Sequence, residues 1–256
     1  EVIKVVNYIK SCPLRSGIFA NLCKAMDSDR TRLLYHTEVR RLSKGKVLAR
    51  VLSLRAEIIS FVDAEKISFK FINDDIWWLE VAFISDLFDK LNTLNLSLQG
   101  ANENIITISG KLKAFKDMLQ LWMTRANNSQ LDCFPSVDAS THKSTITPVI
   151  QKTLENLSAS FTKYFPSLET KEYEWVINPF VNYEGTCLTM AEEENLIDLK
   201  NDLVHKVSFA EQELSAFWVS IRSEYPYLSN KAIKALLPFG SSYLCELGFL
   251  AQTEIE

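Results

Sequence analysis

Residues 76–99 read IWWLEVAFISDLFDKLNTLNLSLQ, and the spacing of their apolar side chains decides the fold. Ile84, Leu87, Leu91, Leu94 and Leu98 recur at alternating three- and four-residue steps, so on a helix they form one apolar seam, widened by Phe83 and Phe88. Twenty-four residues of helix make a rod of about 36 Å at about 1.5 Å per residue, long enough to cross a small domain. The stretch therefore predicts a core helix on which other segments pack. Asn73, Asp74 and Asp75, just ahead of it, are N-cap candidates.

Working outward, residues 105–123 carry Ile108, Leu112, Phe115, Leu119 and Trp122 at helical steps, a second seam that follows the short connection GANEN. Two such seams so joined predict an antiparallel helical hairpin. Upstream, Val47, Val51, Leu54, Ile58 and Phe61 predict one helix from a Ser43 cap to about Val62, with Arg50 and Arg55 off its seam, facing solvent or a ligand. Val2, Val6 and Ile9 mark a short first helix stopped by Pro13, and Leu14, Ile18, Phe19, Leu22 and Met26 mark a second. Residues 66–75 alternate briefly but have no partner strand and read as loop.

The polar stretch 126–144 lacks periodicity and reads as an exposed loop or boundary. A helix over 146–165 follows, through Ile150, Leu154, Leu157, Phe161 and Phe165. The irregular aromatic segment after it holds Trp175 and Phe180 as packing anchors. A helix from Ala191 to Val204 starts in acidic residues, which favour a helix N-terminus, and buries Leu196, Leu199 and Leu203. Three further helical pieces are expected near 210–224, 228–236 and 240–252. The fold class is mainly α, divided into a first part, 1–130, and a second, 131–256.

Composition agrees. Seven Gly and seven Pro among 256 residues are few for a turn-rich β protein. No apolar run approaches the roughly 18 to 20 residues a bilayer span needs, so no membrane partner is expected. Residue 1 is Glu and opens straight into a helical pattern, which leads to the expectation of a piece of a longer protein. The five cysteines, Cys12, Cys23, Cys133, Cys187 and Cys245, are scattered without CxxC spacing, as expected of reduced intracellular thiols. The net charge of −4 is unevenly spread: residues 10–50 hold ten Lys or Arg against three Asp or Glu, and residues 165–256 hold fifteen acidic against six basic. A basic N-terminal region can face a polyanion or simply solvent.

Motifs for small-molecule chemistry are missing. No glycine-rich phosphate loop occurs, and His36, His142 and His205 lie far apart outside any metal signature. There is no GxSxG, and no cysteine has a nearby catalytic partner. No cofactor, metal or small-molecule substrate is expected.

Four stretches carry a family resemblance: VNYIKSCPLRSGIFANLC (6–23), LLYHTEVRRLSKGKVLARVLSLRAEI (33–58), WWLEVAFISDLFDKLNTLNLSLQG (77–100) and FWVSIRSEYPYLSNKAIKALLPFGSSYLCELGF (217–249). They resemble the later part of hAT-superfamily transposases, above all host proteins domesticated from them, of the BED-type zinc-finger and general transcription factor II-I repeat-domain-containing kinds. The resemblance implies a helical insertion domain followed by the C-terminal helical remnant of a ribonuclease-H-like fold. It places the family's third acidic metal ligand at Glu246, with the two companion aspartates upstream of Glu1, so a vestigial site without catalysis is expected. Where the family has a DNA-stacking Trp, this chain has Arg41, and Leu250 stands where Ser is usual. The family's dimerisation region would cover 207–252, with Trp218, Tyr225, Leu228, Leu236, Leu237, Tyr243 and Phe249 in its apolar frame. Read from the residues alone, these are simply helix cores.

The function expected is that of a nuclear, or else cytoplasmic, domesticated domain that associates with DNA or chromatin through Arg40, Arg41, Lys44, Lys46 and Arg50 and with itself through its C-terminal helices. Its rival is a protein-interaction scaffold that never touches nucleic acid. An active nuclease would need the upstream aspartates.

Overall fold

A computed structural model describes residues 1–34, 43–100, 103–138, 141–166, 171–182 and 188–237. The described residues are mainly helical, without strands. The chain forms two compact units, Glu1–Leu94 with Met118–Ser160, and Asn95–Asp117 with Phe161–Glu256.

The first unit opens with α1 (Val2–Lys10) and α2 (Pro13–Ala25), then α3 (Ser43–Ser53) and α4 (Arg55–Ala64). The single helix expected over 43–62 is therefore two, kinked at Leu54, whose φ of −115° and ψ of 25° leave the helical region. Both halves stay on one core, in which Val47, Val51, Leu54, Ile58, Phe61 and Val62 are all buried. Within α2 the expected seam is corrected. Phe19 and Cys23 are its buried pair, while Leu14, Ile18 and Met26 are exposed.

The long helix is α5 (Asp75–Ser97). Asp74 caps it, its carboxylate accepting from the Ile76 N–H at 2.9 Å. Its buried face lies further upstream than the leucine seam: Trp77, Trp78, Val81 and Phe83 are buried, Ile84 is exposed and Leu91 and Leu94 are half-buried. The paired tryptophans anchor that end, with Trp78 Nε1 donating to the Ile72 carbonyl at 2.8 Å. The next helix, α6 (Ile105–Asn127), runs antiparallel to α5, as the Lys90 ammonium 4.7 Å from the Trp122 ring centroid and the Lys111 bond to the Ser97 carbonyl require. Of its expected seam, Ile108, Phe115, Leu119 and Trp122 are buried and Leu112 is half-buried.

The stretch 126–144 is not an exposed loop. Leu131, Phe134 and Val137 are buried, and Phe134 meets Phe83 edge-on at 4.9 Å. The short α7 (Pro135–Asp138) is fixed by Asp86, whose carboxylate accepts from Ser136 N at 2.9 Å and Oγ at 2.7 Å. Helix α8 (Lys143–Tyr164) buries Ile146, Ile150, Leu154 and Phe161 but leaves Phe165 exposed just beyond its end.

The second unit is built around Trp175 and Trp218. It contains α9 (Glu174–Ile177), α10 (Met190–Asn201), α11 (Leu203–Glu211), α12 (Leu214–Ser220), a 3-10 turn over Ile221–Ser223, and α13 (Pro226–Leu236). The helix expected over 191–204 breaks at Asp202, which caps α11 by accepting from Val204 N and His205 N and leaves Leu203 exposed. α10 begins with a capping box between Thr189 and Glu192. The piece expected at 240–252 lies outside the described residues.

Candidate functional site

Four cationic side chains of the first unit meet about one short segment. α2 ends in a turn through Asp27, at a φ of 56°, and Ser28 donates its hydroxyl to the buried Glu57 carboxylate. The chain then runs without regular secondary structure through 30–34, with Leu33 buried in the core. Two basic residues hold it by consecutive carbonyls. Lys10, in the last turn of α1, donates Nζ to the Leu33 carbonyl at 3.0 Å, and Arg50, in the last turn of α3, donates Nη1 to the Arg32 carbonyl at 2.7 Å.

This grip crowds like charges. Burial, then the neighbouring Arg32, hold the Lys10 ammonium below its usual pKa, and burial, then Arg30, do the same to Arg50. Arg30, Arg32 and Lys46 form no ion pair among the described residues. Lys46 is exposed one turn before Arg50 on α3. Guanidinium and ammonium groups so arranged can neutralise phosphates in succession.

The expected DNA-contact set is thus split. Arg50 is at the 30–34 segment, and Lys46 is exposed one turn before it on α3. Lys44 lines a separate groove of about 430 Å³ between α1, α3 and α5, with Ile3, Trp77, Glu80 and Phe88. Arg40 and Arg41 lie outside the described residues. Lys10, Arg30 and Arg32 were absent from the expected contact set, and the one signal for them was the excess of basic residues over 10–50. Two other arginines are structural: Arg15 lies 4.0 Å over the Tyr8 ring and donates to the Tyr8 carbonyl, while Arg55 pairs with Asp75 beside Trp78.

Of the expected dimerisation residues, Trp218, Tyr225 and Leu228 are buried in the core of their own unit, Leu236 is half-buried and Leu237 is 65% exposed. Tyr243, Phe249 and the acidic Glu246 lie outside the described residues. Among the described residues no three His, Cys, Asp or Glu gather where they could hold a metal. His205 is engaged otherwise, its Nε2 2.6 Å from the Glu224 carboxylate. No helix of the described residues is long and apolar enough to cross a membrane.

Fold and site together define a helical domain with a basic face. Residues 1–127 match the model of the FAM200-GTF2IRD2-like family, the FAM200/GTF2IRD2 helical domain, which fits the transposase-derived kinship expected from the sequence. The basic face lies wholly inside the matched segment. No solved structure matches the chain.

Proposed function

We propose that this chain is a non-catalytic, transposase-derived helical domain of the hAT kind that associates with DNA or chromatin in the nucleus. The observation that carries the reading is the gathering of Lys10, Arg30, Arg32 and Arg50 about the 30–34 segment, with Lys46 exposed one turn before Arg50. Neutralising each phosphate releases counterions, so the logarithm of affinity falls with the logarithm of salt by about 0.9 for each contact. Reversing Arg32, Lys46 and Arg50 to Glu together is expected to flatten that slope and abolish duplex binding at about 50 mM salt, with the helical circular dichroism retained. Unchanged binding would overturn the reading. So would cleavage of the duplex with Mg²⁺ or Mn²⁺, as regards the absence of catalysis.

Self-association through the C-terminal helices is part of the same proposal. Leu203, Val204 and Val207 on α11 and Leu237 after α13 are exposed and give it apolar surface. A monomeric mass by light scattering at all concentrations would remove it. The groove lined by Trp77 and Phe88 favours a second reading, a protein-interaction scaffold. Absence of duplex binding by the native chain at about 50 mM salt would leave only that reading.

A further inference from the structure

The four cations about the 30–34 segment divide into two pairs. Arg30 and Arg32 are exposed and form no ion pair among the described residues. Lys10 and Arg50 are half-buried, and each donates a hydrogen bond to the segment's own backbone, at Leu33 and at Arg32. Drawing either of them out to a ligand would cost a carbonyl its partner.

The segment is held at both ends. Upstream, Ser28 N donates to the Cys23 carbonyl at 3.0 Å and the Ser28 hydroxyl donates to Glu57. Downstream, Leu33 is buried and its carbonyl accepts from Lys10. Arg30 and Arg32 lie between these anchors, on backbone already fixed before any ligand arrives. Ordering backbone costs conformational entropy, and a site fixed in advance does not meet that cost on binding. The arrangement also crowds like charge, with Arg32 beside the Lys10 ammonium and Arg30 beside the Arg50 guanidinium. An anion held by the exposed pair relieves that repulsion.

We propose that Arg30 and Arg32 take phosphates of a nucleic-acid backbone, and that Lys10 and Arg50 are positioning residues that hold the 30–34 backbone in place for them. The inference rests on the nucleic-acid reading above and adds to it a division of roles among the cations. Salt separates the two roles. Each phosphate contact steepens the fall of log affinity with log salt by about 0.9, whereas the cost of ordering backbone is the same at every salt concentration.

The test is a salt titration of duplex binding by the full chain between about 50 and 200 mM. Arg30→Gln and Arg32→Gln are each expected to lower the slope by about 0.9. Lys10→Met and Arg50→Met are expected to weaken binding about tenfold, the equivalent of ordering one residue afresh, along a line parallel to that of the native chain. Either loss is expected to vanish when Arg30 and Arg32 are both Gln, which a merely structural lesion would not do. Should one of the two Met variants lose its helical circular dichroism, the other decides.

A slope lowered by about 0.9 in a Met variant would make that residue a phosphate contact and overturn the division of roles. Native-strength binding by the Met variants overturns it too, as does a loss that persists without Arg30 and Arg32, or a native slope in Arg30→Gln and Arg32→Gln. Each of these leaves duplex binding itself standing. Absence of duplex binding by the native chain overturns both this assignment and the nucleic-acid reading.

Discussion

Trp175 and Trp218 meet edge to face at the centre of the second unit, ring centroids 5.4 Å apart and planes at 89°, yet only one indole N–H is satisfied. Trp218 Nε1 donates to the Val176 carbonyl at 2.9 Å, whereas the buried Trp175 Nε1 has no hydrogen-bond partner among the described residues. Both rings are fully buried, so replacement by Phe removes similar apolar volume from each. Trp218→Phe in addition leaves a buried carbonyl unpaired, at about 1 to 3 kcal/mol. Trp175→Phe instead removes an unsatisfied donor. In urea unfolding, Trp218→Phe is expected to be the more destabilising by at least about 1 kcal/mol; equal losses would refute the difference.

Gly45 marks a close approach of α3 to α5. A Cβ there would sit 2.8 Å from Asn92 Nδ2 and 3.2 Å from Phe88 Cβ. The Asn92 amide can swing aside, but Phe88 Cβ is tied to its helix. Gly45→Ala is therefore expected to destabilise by about 1 kcal/mol or more, although alanine is the better helix former. Gly110→Ala, with nothing within 4 Å, is expected to stabilise by up to about 1 kcal/mol. Thermal melts of the two variants moving in the same direction would contradict the packing difference.

Periodicity made α6 legible, because Ile108, Phe115, Leu119 and Trp122 lie at steps that only a helix aligns and all four are covered. It misplaced the buried face of α5, because apolar spacing does not say which turns acquire a neighbour. Leu94 is only half-buried while Trp77 and Trp78 are in the core. The stretch 126–144 was misread for a related reason: its polar composition hides Leu131, Phe134 and Val137, and what orders it is Asp86, remote in sequence. At the basic face, the charge excess over 10–50 was visible. The meeting of Lys10 and Arg50 on consecutive carbonyls was not, since it depends on how α1 and α3 come together on the 30–34 segment.

Cys12 and Cys23 stand at opposite ends of thiol reactivity. The backbone N–H groups of Arg15 and Leu14 support the Cys12 thiolate and hold its pKa below the ordinary value. Burial, then the Glu57 carboxylate, push Cys23 up to about 11. Cys133 is also raised, chiefly by burial. Brief iodoacetamide treatment of the folded protein at neutral pH, read by peptide mapping, is expected to alkylate Cys12 at least about tenfold faster than Cys23. Equal rates would show that the thiol environments are not as described.

The second unit carries opposing acid and alkaline sensitivities. Glu192 accepts from Thr189 N at 2.7 Å and pairs with Lys231 at 2.9 Å, tying the start of α10 to α13. The Thr189 N–H above all, then Lys231 and the Thr189 hydroxyl, hold its carboxyl below the usual 4.5, against the effect of burial. Its folded pKa is depressed, so its stabilisation is present above pH 4.5 and is lost as pH falls through the folded value. Tyr225 behaves in the opposite sense. Burial, then Asp198, which accepts from its hydroxyl at 2.9 Å, raise it from 10.0 to about 12. The folded state keeps the phenol protonated, so this stabilisation is full below pH 10.0 and disappears as pH rises towards about 12. The urea midpoint is expected to fall on both flanks, with Glu192→Gln flattening the acid limb and Tyr225→Phe the alkaline one. An acid limb unchanged in Glu192→Gln would place that sensitivity elsewhere, with the capped carboxylate of Asp202, also held below its ordinary value, the next to test.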